Sequence, residues 1–163
     1  CGFRFERLDG QEPLKEVDLM EMDILQNSPF RWHSLFESDM CLMASGFSAW
    51  AGIFSPDQGE TWIALGKKSD DKKIYKLAAT SRVLAMARAD DYLRAYETDS
   101  NCRKSKRWLD EPASEKQVSL LNKLGYQLTP DLFGQTGVSK YSASCLTNFY
   151  FNLREIEKAL GVL

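Results

Sequence analysis

The residue types best suited to chemistry are the cations and the tryptophan of residues 101–108, which run Asn-Cys-Arg-Lys-Ser-Lys-Arg-Trp. Arginines and lysines pair with phosphates, and an indole can stack on a nucleobase. A second basic stretch, residues 67–76, extends the first if folding brings the two together. With one later lysine, the predicted nucleic-acid contacts are Lys67, Lys68, Lys72, Lys73, Lys76, Arg103, Lys104, Lys106, Arg107, Trp108 and Lys140. A solvated connector is the alternative for the stretch, and a packing role is the alternative for Trp108.

The charges are distributed unevenly along the 163 residues, although the net charge is only −2. Residues 67–107 hold 12 Lys and Arg against 6 Asp and Glu, whereas residues 1–60 hold 4 against 11. The local excess of +6 favours a polyanionic partner for the middle of the chain. Carboxylates of the first third could instead fold against the basic block and leave no free patch.

Catalytic arrangements are missing from the sequence. Position 61, where a phosphate-binding loop would need glycine, is Thr61, so Gly66-Lys-Lys-Ser69 is expected to be a basic hairpin turn. The single histidine, His33, has no nucleophile placed beside it and is expected to be structural. Neighbouring acids at 90–91 and at 110–111 point about 100° apart on a helix and cannot converge on one atom. We expect no enzyme chemistry and no cofactor within this chain.

Cysteine spacing argues against a metal framework of the chain's own. Cys1, Cys41, Cys102 and Cys145 stand forty residues or more apart, which favours a reducing, intracellular setting. Cys1-Gly-Phe matches the end of a zinc knuckle, where glycine permits a tight turn. Cys1 is a candidate metal ligand only if further ligands lie upstream, and a chance cysteine at a domain boundary is the alternative. No apolar run approaches the roughly 20 residues that span a bilayer.

The order of predicted strands and helices along the sequence indicates an α+β fold. It consists of a short antiparallel β-meander packed on an amphipathic helix, followed by a small helical C-terminal unit. We expect an acidic linker over residues 1–26, with at most short strands or a loose turn of helix. Residues 27–100 should form the sheet and its covering helix, and residues 101–163 the basic connector and helical module.

Short apolar runs rich in aromatic and β-branched residues predict the strands, which are bounded by turn signals. The predicted strands are residues 32–36, 40–45, 47–54, 61–67 and 74–79. Apolar residues at helical spacing predict the covering helix over residues 81–97. Ser114 and Gln117 form the pattern of a capping box that opens a helix over 115–124. Further helices are predicted over 139–148 and 152–160.

Three segments resemble the C-terminal accessory region of DEAD/DEAH-type superfamily 2 ATP-dependent helicases, both bacterial and mitochondrial. They are Lys-Ser-Lys-Arg-Trp-Leu-Asp-Glu-Pro-Ala-Ser-Glu-Lys-Gln at 104–117, Gly-Val-Ser-Lys-Tyr-Ser-Ala-Ser-Cys-Leu-Thr-Asn at 137–148, and Phe-Tyr-Phe-Asn at 149–152. The resemblance covers about residues 27–155 and its motifs are degenerate. Neither a phosphate-binding loop nor an acidic box of the motor occurs in the sequence, so the family's catalysis falls on no residue of this chain.

The resemblance implies a parent ATPase that acts on DNA, with ATP and Mg²⁺ bound in its motor domains and zinc possible upstream. It implies DNA and the motor domains of the same parent chain as partners. The implied location is the cytoplasm, associated with the nucleoid, or the mitochondrion in a eukaryote.

Two functions follow. The first is a non-catalytic accessory domain of an ATP-dependent DNA helicase that contacts single-stranded or branched DNA through the basic residues. The alternative is a protein-interaction or structural module that docks on the helicase core or on a DNA-repair partner. In that reading exposed aromatic residues are the anchors, because they bury a large area at low entropy cost. The predicted anchors are Trp50, Phe149, Tyr150 and Phe151.

Overall fold

The computed structural model describes residues 16–37, 40–104 and 106–162, so the candidate ligand Cys1 lies outside the described residues. The helices there are α1 (Glu16–Asn27), α2 (Arg82–Tyr96), α3 (Glu115–Lys123), α4 (Lys140–Phe151) and α5 (Leu153–Leu160). The strands are β1 (His33–Ser34), β2 (Cys41–Ser45), β3 (Ala49–Phe54), β4 (Trp62–Lys68) and β5 (Tyr75–Thr80). Among these helices, none combines the length and apolarity that crossing a bilayer requires.

The strands form one antiparallel sheet in chain order, β1-β2-β3-β4-β5, which confirms the predicted meander. Ile53 of β3 lies opposite Leu42 of β2 on one side and Ala64 of β4 on the other. Strand β1 is shorter than predicted, because a 3₁₀ turn over Leu35–Glu37 ends it and Phe36 takes a left-handed φ of 57°. The α+β fold class is therefore confirmed.

Helix α2 covers one face of the sheet, as predicted, through a layer of small side chains. Ala51 and Ala64 of the sheet meet Ala85 and Ala89 of the helix, and all four are fully buried. Gly66 marks a close approach, since a Cβ there would lie 2.6 Å from the Tyr92 ring. Small residues bring the helix axis close to the strands.

The C-terminal helices cover the opposite face. Trp50 and Leu65 of the sheet share one buried cluster with Leu121 of α3 and Leu146 of α4. The Tyr141 hydroxyl joins α4 to β2, because it accepts a hydrogen bond from the Ser45 amide (2.9 Å). The helical module thus shares a core with the sheet, and β3 is buried on both faces, which explains its uninterrupted apolar sequence.

The predicted capping box is present at the start of α3. The Ser114 hydroxyl accepts from the Gln117 amide (3.2 Å), and the Gln117 side chain accepts from the Ser114 amide (3.0 Å). These two bonds satisfy amides that a helix start otherwise leaves unpaired.

The prediction of at most a loose helical turn in the first segment was wrong for its second half, where α1 spans Glu16–Asn27. Glu21 of α1 forms an ion pair of 2.6 Å with Arg82 of α2, and Ile24 and Leu25 pack against the core under α2. The acidic run resembled a solvated linker because its stabilising contacts come from a helix far along the chain. Residues 1–15 of the predicted linker lie outside the described residues.

Candidate nucleic-acid interface

Three connections meet at one end of the sheet: the β2–β3 turn (residues 46–48), the β4–β5 connection and the segment after α2. The Ser69 amide donates to the Ser48 carbonyl (2.8 Å), and the Ser69 hydroxyl donates to the Phe47 carbonyl (2.7 Å). On the other side, the Phe47 ring stacks on Trp108, with centroids 5.7 Å apart and planes 14° apart. We call residues 46–48, 67–73, 101–104 and 106–108 the sheet-end surface.

The β2–β3 turn thereby bridges the two basic stretches, which are far apart in the chain. Lys67, Lys68, Lys72 and Lys73 lie on one side of it, and Arg103, Lys106, Arg107 and Trp108 lie on the other. Lys76 is exposed and is the second residue of β5, opposite Leu65, just outside the 67–73 segment.

The lysines of the β4–β5 side differ in their contacts. Lys68 Nζ lies 4.9 Å from the Tyr96 ring centroid, and Lys73 Nζ lies 5.4 Å from that of Tyr75. Lys67 Nζ donates to the Lys68 carbonyl (3.2 Å). Lys72 is exposed, and its side chain has no hydrogen bond or ion pair within the described residues. Cations held over rings remain available to a phosphate on their open side.

An aspartate lies within this basic turn. Asp71 accepts hydrogen bonds from the Lys73 amide (2.9 Å) and the Tyr75 hydroxyl (2.8 Å). The backbone bond, followed by the tyrosine bond and the nearby lysines, holds the pKa of Asp71 below its ordinary value. The carboxylate fixes the turn and offsets part of its positive charge.

Two of the predicted cations are engaged by the protein itself. Lys104 Nζ donates to the Gln26 carbonyl (2.8 Å) and the Leu25 carbonyl (3.3 Å), which belong to the last turn of α1. A cation there satisfies open carbonyls and complements the helix dipole. Lys140 Nζ pairs with Glu111 at 3.0 Å. Both positions hold the fold together.

Three cations of the connector point away from such contacts. Arg103 and Arg107 are exposed and Lys106 is half-buried. In the described parts of the chain, their side chains form no hydrogen bond or ion pair. Glu21, a carboxylate of the first third, forms its ion pair with Arg82 and not with these cations.

The β2–β3 turn is held by bonds from outside itself. The Phe47 amide donates to Cys102 Sγ (3.2 Å), and the Ser48 amide donates to Glu97 Oε1 (2.7 Å). Glu97 is only 5% exposed and also accepts from the Ala49 amide (3.4 Å). Burial raises the pKa of the Cys102 thiol to about 12, so the thiol stays protonated. The turn is fixed while the Phe47 side chain remains 55% exposed.

Sequence reasoning missed Phe47 and Glu97. Residues 47–54 were predicted as one strand, but β3 begins at Ala49, because Gly46, Phe47 and Ser48 form the turn. Gly46 was the available signal: a Cβ there would lie 1.8 Å from Glu97 Oε1, so only glycine fits without rearrangement. The partner of that glycine could not be read from the sequence.

Residues 14–160 match the family model described as mitochondrial helicase Irc3, C-terminal domain. The chain belongs to this family. Comparisons with curated proteins and with solved structures gave no match. The resemblance to a helicase C-terminal accessory region is thus confirmed at the level of the family.

In this helicase C-terminal domain, most of the aromatic anchors proposed for docking are not free. Trp50 is 4% exposed and lies in the core, so its assignment as an exposed anchor was wrong. Phe149 and Tyr150 are half-buried and contact each other edge to face at 5.4 Å. Phe151 is 61% exposed, as that assignment required.

Three further titratable residues, His33, Asp90 and Asp110, contact other elements of the fold. His33 Nε2 lies 3.1 Å from the Ser142 hydroxyl, and burial, then Arg31, lowers the pKa of this histidine. The buried Asp90 accepts from the Ser28 hydroxyl (2.6 Å). The Arg31 guanidinium bonds Asp110 at 2.5 Å and holds the pKa of that carboxyl below its usual value. Within the described residues, no cluster of His, Cys, Asp or Glu is arranged to bind a metal.

Proposed function

We propose that this helicase C-terminal domain is a non-catalytic accessory domain that contacts DNA, single-stranded or branched, through the sheet-end surface. One observation supports this most: the β2–β3 turn joins the two basic stretches at one end of the sheet through Ser69 and Trp108. Cations from distant parts of the chain then face one ligand together, and the side chains of Arg103, Lys106 and Arg107 are open to it.

The contact works through charge. Lysine and arginine side chains displace counterions from the phosphates, so affinity falls steeply with salt and depends little on base sequence. The motor domains of the parent chain, with ATP and Mg²⁺ bound, supply the energy, and this domain binds the DNA. We place the parent chain in mitochondria, in accordance with the family's description.

The test is a titration of labelled single-stranded and forked DNA with this chain and with the variant R103A/K106A/R107A, at low and moderate salt. Loss of about three phosphate contacts should lower the slope of log K against log salt by roughly 2 and weaken binding about tenfold or more. The matched control is K116A/K123A/R154A, which removes three exposed cations outside the sheet-end surface. If both triple variants bind equally well, or if the chain binds neither DNA, the proposal is wrong.

A second candidate is docking on the motor domains of the same parent chain through the α3–α4 loop. Leu132 is 99% exposed and Phe133 is 87% exposed, and Asp131 holds their turn by accepting from the Phe133 amide (2.8 Å). Apolar residues presented in this way favour a protein partner. In the parent helicase, L132S/F133S should then reduce unwinding while leaving DNA binding by the isolated chain within about twofold, since surface changes rarely alter stability. Unchanged unwinding argues against docking by this loop.

A further inference from the structure

We propose that Phe47 is a stacking platform for an unpaired nucleobase, so that the sheet-end surface takes a single strand in preference to a fully paired duplex. This rests on the proposed contact with DNA and names the structural class of DNA that the site selects. The observation behind it is an exposed ring, 55% accessible, whose plane lies 14° from that of Trp108.

The two rings form a layered unit. Trp108 is half-buried against the core, and its Nε1 donates to the Asn101 carbonyl (2.6 Å), which fixes the orientation of the indole. Phe47 lies almost parallel to it with centroids 5.7 Å apart. A ring supported from behind by a second ring offers its exposed side to a third planar group. A nucleobase is such a group, and base–aromatic stacking tolerates any base.

The backbone beneath the ring is fixed before any ligand arrives. The Gly46 amide donates to the Ala49 carbonyl (2.9 Å), so the consecutive amides of Gly46, Phe47 and Ser48 all have partners. Ordering of loops on binding normally lowers affinity, and a turn already held in place avoids that loss. A single exposed phenylalanine is ordinary on a protein surface. One held parallel to an indole by a clamped turn is suited to stacking.

The surrounding charges match a strand laid across the ring. Lys67 and Lys72 lie within three residues of Ser69, which bonds the Phe47 carbonyl, and Arg107 directly precedes Trp108, on which the Phe47 ring stacks. Phosphates on either side of a stacked base would each meet a cation. In a duplex the bases are paired and stacked on each other, so the ring has no base face to contact and only the phosphate contacts remain.

The test compares wild type, F47L and F47W on three probes of equal length: oligo-dT, the same oligonucleotide with abasic sites, and a duplex. Leucine keeps apolar bulk without a π face, so F47L should bind oligo-dT roughly 5- to 100-fold more weakly. Binding to the abasic and duplex probes should stay within about twofold, and F47W should bind oligo-dT at least as tightly as wild type. The salt slope should not change, because no phosphate contact is lost.

Thermal unfolding of each variant checks that the fold remains stable. If F47L binds oligo-dT as wild type does, or weakens all three probes equally, Phe47 is not a base platform, although the DNA contact itself stands. If F47W and F47L weaken binding to oligo-dT equally, the stacking role of Phe47 is contradicted as well. If wild type binds none of the probes, the proposed function fails first, and R103A/K106A/R107A then shows no effect to compare.

Discussion

The turns that carry Phe47 and Phe133 each present an exposed phenylalanine, and they are built differently. The Phe47 turn is fixed by distant residues, Glu97 and Cys102, and is surrounded by cations. The Phe133 turn is fixed by its own Asp131, which accepts from the amides of Phe133 (2.8 Å) and Gln135 (2.9 Å). A turn tied into the core presents its ring in one place, whereas a locally closed turn can move as a unit.

Their surroundings differ as well. The groove beside the α3–α4 loop is lined by Glu115, whose carboxylate repels phosphates, and by Asp110, whose charge Arg31 offsets. The sheet-end surface holds eight Lys and Arg against two Asp. The same residue type therefore suits a nucleobase at one site and an apolar protein surface at the other. If both proposals hold, the surroundings supplied by distant segments, and not the phenylalanine itself, decide what each turn binds.

The largest effect is expected from removing the buried clamp of the Phe47 turn. E97A leaves the amides of Ser48 and Ala49 without their acceptor and should lower the free energy of unfolding by about 2–4 kcal/mol. D131A removes a comparable number of bonds from the exposed Phe133 turn and should lower it by less than about 1 kcal/mol, because water replaces the lost acceptor. Urea unfolding measures both. Equal losses contradict the contrast between a core-tied and a local turn.

A smaller loss is expected from adding one methyl group to each turn. In G46A the new Cβ meets Glu97 Oε1 at 1.8 Å, and the forced rearrangement should lower stability by about 2 kcal/mol. Gly134 has open space around it but a φ of 77°, so G134A should lower stability by only about 1 kcal/mol, through backbone strain. Only G46A should also weaken binding to oligo-dT. If G134A lowers stability more than G46A does, crowding by Glu97 does not limit the side chain at position 46.

The same contrast explains how far the sequence could be interpreted. Local signals were sufficient for the meander, for α2 and for the capping box at Ser114, because apolar spacing and capping patterns act over a few residues. They failed for α1, which Arg82 of α2 helps to hold, and for the roles of Lys104 and Glu97. A charge that caps a helix some eighty positions earlier in the chain looks, in sequence, like any other solvated charge.

The smallest effect is expected from removing one negative charge near each of the two turns. D71N keeps one side-chain oxygen to accept from the Lys73 amide and places an NH₂ group opposite the Tyr75 hydroxyl, which can accept from it; the change removes one negative charge from the sheet-end surface. Phosphates should then be repelled less, and binding to single-stranded DNA should tighten by about twofold at low salt, with the gain disappearing as salt screens the surface. D131N removes the same charge from the Phe133 turn and should leave DNA affinity unchanged. Fluorescence anisotropy at two salt concentrations measures both variants. A gain of the same size from D131N would mean that net charge, and not the position of the sheet-end surface, governs DNA binding.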